Sequence, residues 1–382
     1  MTRRIIYVPI EPLNERYTEQ WYRNFPLLFK AAGFQVLRID GEPLIEDDIK
    51  VGAFLDINST VHYKMAQLQR IARLFNEGEI KHGDVFFFGD IEFWGLESVR
   101  LMARMNKIDV RITGFLHAAS YTKEDAFEVA ADFQEFTEIG WLAACDKVFV
   151  GSDYHRAAIW ERRVSRHGGL SLQQSLMEKI VVTKNPIFPA EYPVFDMSKE
   201  KMMVLTNRLD PEKRPLETLQ LFANLKQKFP DWQFVVTTGR KTLRGDPRAC
   251  EYAQRLDDEG VIELMVGVTK EAYHRVLSQA AIMVSHSIEE NYGYCIAEAM
   301  LYNCIPLLRD NCSHPEFFAG RGPAETRGLV NEDMQFLFST ESSAYFKAQS
   351  LMRKWGTGAW PKCPILDTRG ATRIVEEIKH LA

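Results

Sequence analysis

The stretch SHSIEENYGYCIAEAMLYNCIPLLRD, Ser285 to Asp310, carries more carboxylates than packing alone requires. Just upstream, AIMVSH (Ala281–His286) is short, apolar and β-rich, and from about Tyr294 the spacing predicts a helix. Ser287–Gly293 is then a strand-to-helix loop, and in open α/β sheets such loops at the strands' carboxyl ends hold ligands. Gly293 permits a tight turn or close backbone approach, and amides at a helix start suit a phosphate oxygen. Glu298, one turn into the helix, cannot bind phosphate but suits vicinal hydroxyls such as those of ribose, and Glu290 suits hydroxyls of a second sugar. Taken singly, an acid in a first turn serves the helix dipole equally well, so the loop has to be weighed with the rest of the chain.

Outward from that loop, strand-like runs alternate with helical periods. RIIYVPI (Arg4–Ile10), FQVLRID (Phe34–Asp40), DVFFFGD (Asp84–Asp90), DVRITGFLH (Asp109–His117) and KVFVGS (Lys147–Ser152) are short and bounded by turn residues. Near-continuous apolar strands alternating with helices indicate a parallel sheet covered on both faces. Pro186, Pro189 and Pro193 then interrupt the rhythm, which resumes at MMVLTNR (Met202–Arg208). The expectation is α/β, with two doubly wound Rossmann-like domains facing across a cleft. Residues 1–186 are expected to form the first domain, 187–200 a linker and 201–354 the second, with 355–382 helical. Only the family resemblance named below implies an acceptor side, a nucleotide-sugar side and a return of the last helices to the first domain.

The chain has 382 residues, more than one core usually supports. A net charge of −5 gives no global basic field for nucleic acid or anionic membranes. The six cysteines show no CxxC pair and no metal-like grouping with histidine, so no metal and no cofactor are expected. The N-terminal apolar run is too short for a signal peptide and no run is long enough for a membrane span, which implies a cytoplasmic protein. No GxGxxG follows a strand and no GxxxxGK[ST] occurs, which argues against nicotinamide and P-loop enzymes.

Two further constellations lie at strand carboxyl ends. In TNRLDPEKRP, Arg208 follows a strand and Lys213 precedes a helix, so a fork and a point charge can clamp a diphosphate; in isolation a solvated basic turn explains them as well. His117, in ITGFLHAASY, can hydrogen-bond a substrate hydroxyl or move a proton, although a lone histidine is more often structural.

Together these features make the sequence similar to the retaining GT-B glycosyltransferases, particularly the large family 4 group. RLDPEK resembles that family's diphosphate motif, and EENYGYCIAEAMLYNCIPLL its strand-loop-helix with two glutamates separated by seven residues. CSHPEFF, with Glu316, KIVVTKNPI and DKVFVGSDYHRAAI resemble neighbouring family segments, and ELMVGVTKEAYHRVLSQAAIMVSHS the stretch that cups the donor's base with backbone around Gly267 and Val268. The resemblance implies that Arg208 and Lys213 neutralise the departing diphosphate. It further implies that Glu298 binds ribose, that Glu290 and His117 bind hydroxyls of the transferred sugar, and that the amides of Asn291, Tyr292 and Gly293 contact sugar or phosphates. The implied co-substrate is a nucleoside-diphosphate sugar, a UDP-sugar first. Many relatives have a glycine pair after the first strand, where this chain reads PIEPLNERYTEQWYRNF.

The acceptor is the least legible part. RYTEQWYRNF interleaves Arg16 and Arg23 with Tyr17, Trp21, Tyr22 and Phe25, and YHRAAIWERRVSRHGG concentrates Arg156, Arg162, Arg163, Arg166 and His167. Aromatic and basic interleaving can serve a nucleic acid, such as a hydroxymethylated base in phage DNA, by stacking and phosphate contact. A peripheral membrane contact with a lipid-linked acceptor is the alternative. The plainer reading, a helix with an apolar core face beside an ordinary basic surface, is favoured over DNA. Other classes consistent with the motifs are a GT-B epimerase or phosphorylase, and a non-catalytic binding protein that kept the fold.

Overall fold

The computed structural model describes residues 3–13, 16–43, 57–124, 127–195, 198–239, 241–318 and 333–381. The chain divides into two compact units, Met1–Phe188 with Thr368–Ala382, and Pro189–Asp367, so the stretch 355–367 lies in the second unit.

In the first unit β1 (Arg4–Val8), β2 (Gln35–Arg38), β3 (Val85–Phe88), β4 (Arg111–Phe115), β5 (Lys147–Val150) and β6 (Ile180–Val182) form a parallel sheet of order β2-β1-β3-β4-β5-β6. Helices α1 (Tyr17–Ala31), α2 (Ile57–Asn76), α3 (Leu96–Met105), α4 (Ala131–Ala144), α5 (Asp153–Arg162) and α6 (Leu170–Met177) connect them. Side-chain alternation splits each strand between two cores: Ile6, Val8, Phe86 and Phe88 enter one, Ile5, Tyr7, Val85 and Phe87 the other. Trp21, Phe25 and Phe29 of α1 fill the second core, so the regular spacing that builds the helix also fixes its buried face.

The second unit repeats the plan with β7 (Glu200–Leu205), β8 (Gln233–Thr238), β9 (Glu263–Val266), β10 (Ala280–Ser285), β11 (Ile305–Arg309) and β12 (Leu337–Phe338), ordered β12-β11-β10-β7-β8-β9 and parallel throughout. Its helices are α7 (Pro215–Lys228), α8 (Pro247–Asp258), α9 (Lys270–Gln279), α10 (Tyr294–Leu301) and α11 (Glu341–Lys354). The chain then returns to the first unit as α12 (Gly370–Leu381), burying Ala371, Ile374, Val375 and Ile378 in the core shared with α1. A side chain at position 370 would meet the carbonyls of Lys184 and Asn185 at 2.6 Å, so glycine is what lets this helix start there. Lys147–Glu377 and Arg373 to the Thr183 carbonyl (3.2 Å) pin the helix.

Among the described residues, no helix is long and apolar enough to cross a membrane. Nor does any group of three or more His, Cys, Asp or Glu gather there to hold a metal ion.

Candidate active site

The strand order of the second unit reverses between β7 and β10, and a parallel sheet opens a crevice at such a point because successive connections leave to opposite faces. The two loops that border it are those singled out above: Thr206–Arg214 after β7 and His286–Gly293 after β10. They are joined directly, because the Ile288 amide donates to the Glu212 carbonyl at 2.9 Å.

Gly293 caps α10 with φ +97°, a left-handed conformation in which a β-carbon would approach Ile296 Cδ1 to 2.9 Å and Glu290 Cγ to 3.3 Å. The turn thus depends on glycine twice, for its φ and for its space. It starts α10 between Glu290 in the loop and Glu298 in the helix. Ser313 braces the loop from the β11 side, its hydroxyl donating to the Tyr292 carbonyl at 3.0 Å and its amide to the Glu290 carbonyl at 3.3 Å.

The structure joins Lys213 and Glu290, which the sequence separates. Lys213 Nζ lies 2.7 Å from Glu290 Oε2 and also donates to the Glu289 carbonyl at 3.2 Å. Burial alone raises the Glu290 carboxyl, but the Lys213 charge and hydrogen bond, with His314 and Arg208, hold it below its ordinary value. Burial works against the Lys213 charge too, yet Glu290 and Glu212 overcome it and raise its pKa. Arg208 is held by Asp210 at 2.7 Å and Glu212 at 3.0 Å. Burial raises the Glu212 carboxyl in spite of the Lys213 and Arg208 charges. Both cations therefore start from carboxylate partners, and an incoming anion has to displace or share them.

Glu298 has a different setting. Its oxygens accept hydrogen bonds from Tyr192 Oη at 3.3 Å and Tyr273 Oη at 3.0 Å, with Lys270 Nζ at 3.8 Å. Burial raises its pKa, and Lys270 and the two phenols offset only part of that rise. The amides of Gly267 and Val268 both donate to the Thr238 carbonyl, at 2.8 and 3.2 Å. Both of these N–H groups are thus used within the unit.

His117 belongs to the first unit. Its Nε2 donates to the Gly89 carbonyl at 3.0 Å, which leaves Nδ1 to accept from Tyr17 Oη at 3.4 Å. Burial, with Lys64 nearby, lowers its pKa. Both nitrogens thus have partners within the unit, so sugar contact would require the Tyr17 bond to open.

Four residues of the second unit's site escape sequence reasoning. Tyr192 hides among linker prolines, and Lys270 and Tyr273 read as the ordinary first turn of an amphipathic helix. His314 is fully buried beside Glu290, its Nδ1 donating to the Arg309 carbonyl at 2.8 Å, and burial lowers its pKa to about 4. Only the one-turn spacing of Lys270 and Tyr273, just after the stretch around Gly267, offered a clue. Some of the aromatic and basic residues singled out for a nucleic acid have partners within the first unit, whereas Arg23, Arg156 and Arg166 are exposed. Trp21 and Phe25 are core, Arg163 is buried against Glu138 and Ser120, and Arg162 donates to the Tyr121 carbonyl and Tyr154.

Residues 194–332 match the family model for glycosyl transferases group 1. No curated protein matches the chain by sequence. Among solved structures, the chain is similar to sucrose-phosphate synthase from Thermosynechococcus elongatus, at 17% identity and a TM-score of 0.61, with 99% of this chain and 95% of that one covered. It is also similar to the catalytic domain of starch synthase IV from Arabidopsis thaliana, bound to ADP and acarbose, at 12% identity, a TM-score of 0.59 and the same coverages of 99% and 95%. Against TarM, at 16% identity and a TM-score of 0.52, 84% of this chain is covered, and it spans only 55% of that protein's length. The fold is GT-B.

Proposed function

We propose that this GT-B chain, with its glycosyl transferases group 1 segment, is a retaining glycosyltransferase that moves a sugar from a nucleoside-diphosphate sugar, a UDP-sugar first, to an acceptor hydroxyl. The observation that carries the reading is the Lys213–Glu290 pair at 2.7 Å, set beside the Gly293 turn of α10 with Glu298 on the far side. A cation for diphosphate and two carboxylates for hydroxyls there match the three chemical parts of such a donor. The ADP carried by the solved starch synthase IV domain agrees with a nucleoside-diphosphate ligand.

Glu298 accepts the ribose hydroxyls and Glu290 a hydroxyl of the transferred sugar. Arg208 and Lys213 turn toward the diphosphate, and the start of α10 adds its partial positive charge. As the bond from the anomeric carbon to the phosphate oxygen breaks, the acceptor oxygen bonds to that carbon on the same face. Its proton passes to the leaving phosphate oxygen, so no dedicated nucleophile is needed. The side chains assigned to leaving-group stabilisation are the Arg208 guanidinium and the Lys213 ammonium, whose pKa Glu290 and Glu212 raise against burial.

The test is turnover of a panel of sugar nucleotides with simple hydroxyl acceptors, followed by proton NMR of the product's anomeric centre. Retained configuration with one nucleotide family supports the reading. Inversion, or donor conversion with no acceptor, contradicts it.

A further inference from the structure

Glu298 is surrounded by donors that the assignment of ribose to this residue does not require. Tyr192 Oη donates to Oε1 at 3.3 Å and Tyr273 Oη to Oε2 at 3.0 Å, while Lys270 Nζ lies 3.8 Å from Oε1. They come from separate places: Tyr192 from the segment before β7, Lys270 and Tyr273 from the first turn of α9. Packing limits how far the phenols can move. The Tyr192 ring lies 5.2 Å from His274, which lies 5.5 Å from both Tyr273 and Tyr302. The Lys270 ammonium sits over the Tyr192 ring at 5.9 Å.

A carboxylate has about four acceptor positions, two on each oxygen. Here each oxygen gives one position to a phenol and keeps one. Two adjacent hydroxyls fit that remainder, one to each oxygen, provided the carboxylate plane does not rotate. A buried carboxylate held by two donors on opposite oxygens cannot rotate without losing both.

We infer that Tyr192 and Tyr273 are positioning residues that fix the Glu298 carboxylate for a vicinal diol, making the site selective for ribonucleoside diphosphates over analogues lacking the 2′ and 3′ hydroxyls. This rests on the donor site proposed above and adds a specificity device to it.

Isothermal titration of the full chain with UDP, ADP, their 2′,3′-dideoxy analogues and pyrophosphate tests it. The proteins are wild type, Tyr192→Phe, Tyr273→Phe, Glu298→Gln, and each phenylalanine change combined with Glu298→Gln. Phenylalanine keeps the ring packing, and melting curves check that the fold is kept. Each phenylalanine change should weaken the preferred ribonucleotide by roughly ten- to a hundredfold, as for loss of a hydrogen bond to a charged group. Dideoxy analogues and pyrophosphate should move by less than about twofold, and in the Glu298→Gln background the phenylalanine effect should vanish, because coupled residues are not additive. Equal weakening of every ligand, or an effect that persists without the carboxylate, would show ordinary structural damage and overturn the inference. Tight ribonucleotide binding that neither phenylalanine change alters would overturn it too, while leaving the donor reading in place. If wild type binds neither nucleotide, the donor reading itself fails.

Discussion

The two units share a parallel six-stranded plan with one reversal of strand order, between β1 and β3 in the first and between β7 and β10 in the second. At the first reversal several polar groups bond to one another. Lys64 pairs with Asp90 at 2.9 Å and with the Glu92 carbonyl, Gln67 donates to the Pro9 and Ile39 carbonyls at 2.8 and 2.9 Å, and His117 donates to the Gly89 carbonyl at 3.0 Å. At the second reversal a left-handed glycine starts α10, and Arg208 and Lys213 sit against carboxylates. The same topology thus carries a buried Lys–Asp pair at one reversal and a larger cation–carboxylate cluster at the other, and the proposed function makes the second exchangeable. A buried, saturated pair contributes mainly to structure, whereas a pair at a ligand crevice is available for binding.

Deleting residues 368–382 should have the largest effect, confined to the first unit. Ile374, Val375 and Ile378 are buried there, and at about 1.5–3 kcal/mol each their loss removes roughly 5–9 kcal/mol. Calorimetry should show the first unit melting far lower while the second is little changed; an equal fall in both would blur the comparison. Next come the two lysines. Lys64→Met strands a buried Asp90 and should cost roughly 3–5 kcal/mol of stability. Lys213→Met should instead lower kcat by about 10²- to 10³-fold with a smaller stability loss. If the two variants exchange these signatures, the division between structural and functional pairs is wrong. Gly293→Ala forces a side chain into a left-handed turn and should cost about 1–3 kcal/mol, along with donor affinity, whereas Gly33→Ala, also at positive φ but with open space around it, should leave donor affinity alone.

The smallest effect is in pH. Glu298 is raised above its ordinary 4.5, so its protonated form gains from folding: that stability is full below 4.5 and lost as pH rises through the folded value. Glu290 is lowered, so its contribution is present above 4.5 and lost as pH falls through a lower folded value. Donor binding needs Glu298 ionised and should therefore weaken on acidification before the Lys213–Glu290 pair breaks. Glu298→Gln should abolish the part of that loss lying above pH 4.5, and Glu290→Gln should leave it in place. Affinity measured from pH 8 to 4 for both variants checks this.

Much of the second unit was legible because its motif is local. The alternation of AIMVSH, the glycine at 293 and the carboxylates around it sit within a few turns of chain, and their order fixes strand, loop and helix. Arg208 and Lys213 were likewise readable as a pair at one strand end. Their carboxylate partners were harder to foresee, because the Lys213–Glu290 contact crosses between two loops that only the strand order brings together. Tyr192 and Tyr273 were hidden for the same reason: one phenol lies between the linker residues Pro189 and Pro193, the other looks like any helix-surface tyrosine, and they meet only on Glu298. In the first unit, PIEPLNERY lacks a glycine signal, whereas the α1 stretch reads more plainly as a helix with an apolar core face than as a nucleic-acid surface. The structure puts Trp21 and Phe25 in the core.

The central claim is that the β7–β10 crevice binds a nucleoside-diphosphate sugar through Glu298 and the Lys213–Glu290 pair. The most direct measurement is thermal shift across a panel of sugar nucleotides and free diphosphates, without added metal, on wild type and Glu298→Ala. At about 100 times its dissociation constant a bound ligand stabilises by roughly 2.7 kcal/mol, a shift of several degrees. The account expects that shift for one nucleotide family in wild type and its loss in Glu298→Ala. A shift of equal size in both proteins, or none with any sugar nucleotide, would contradict it.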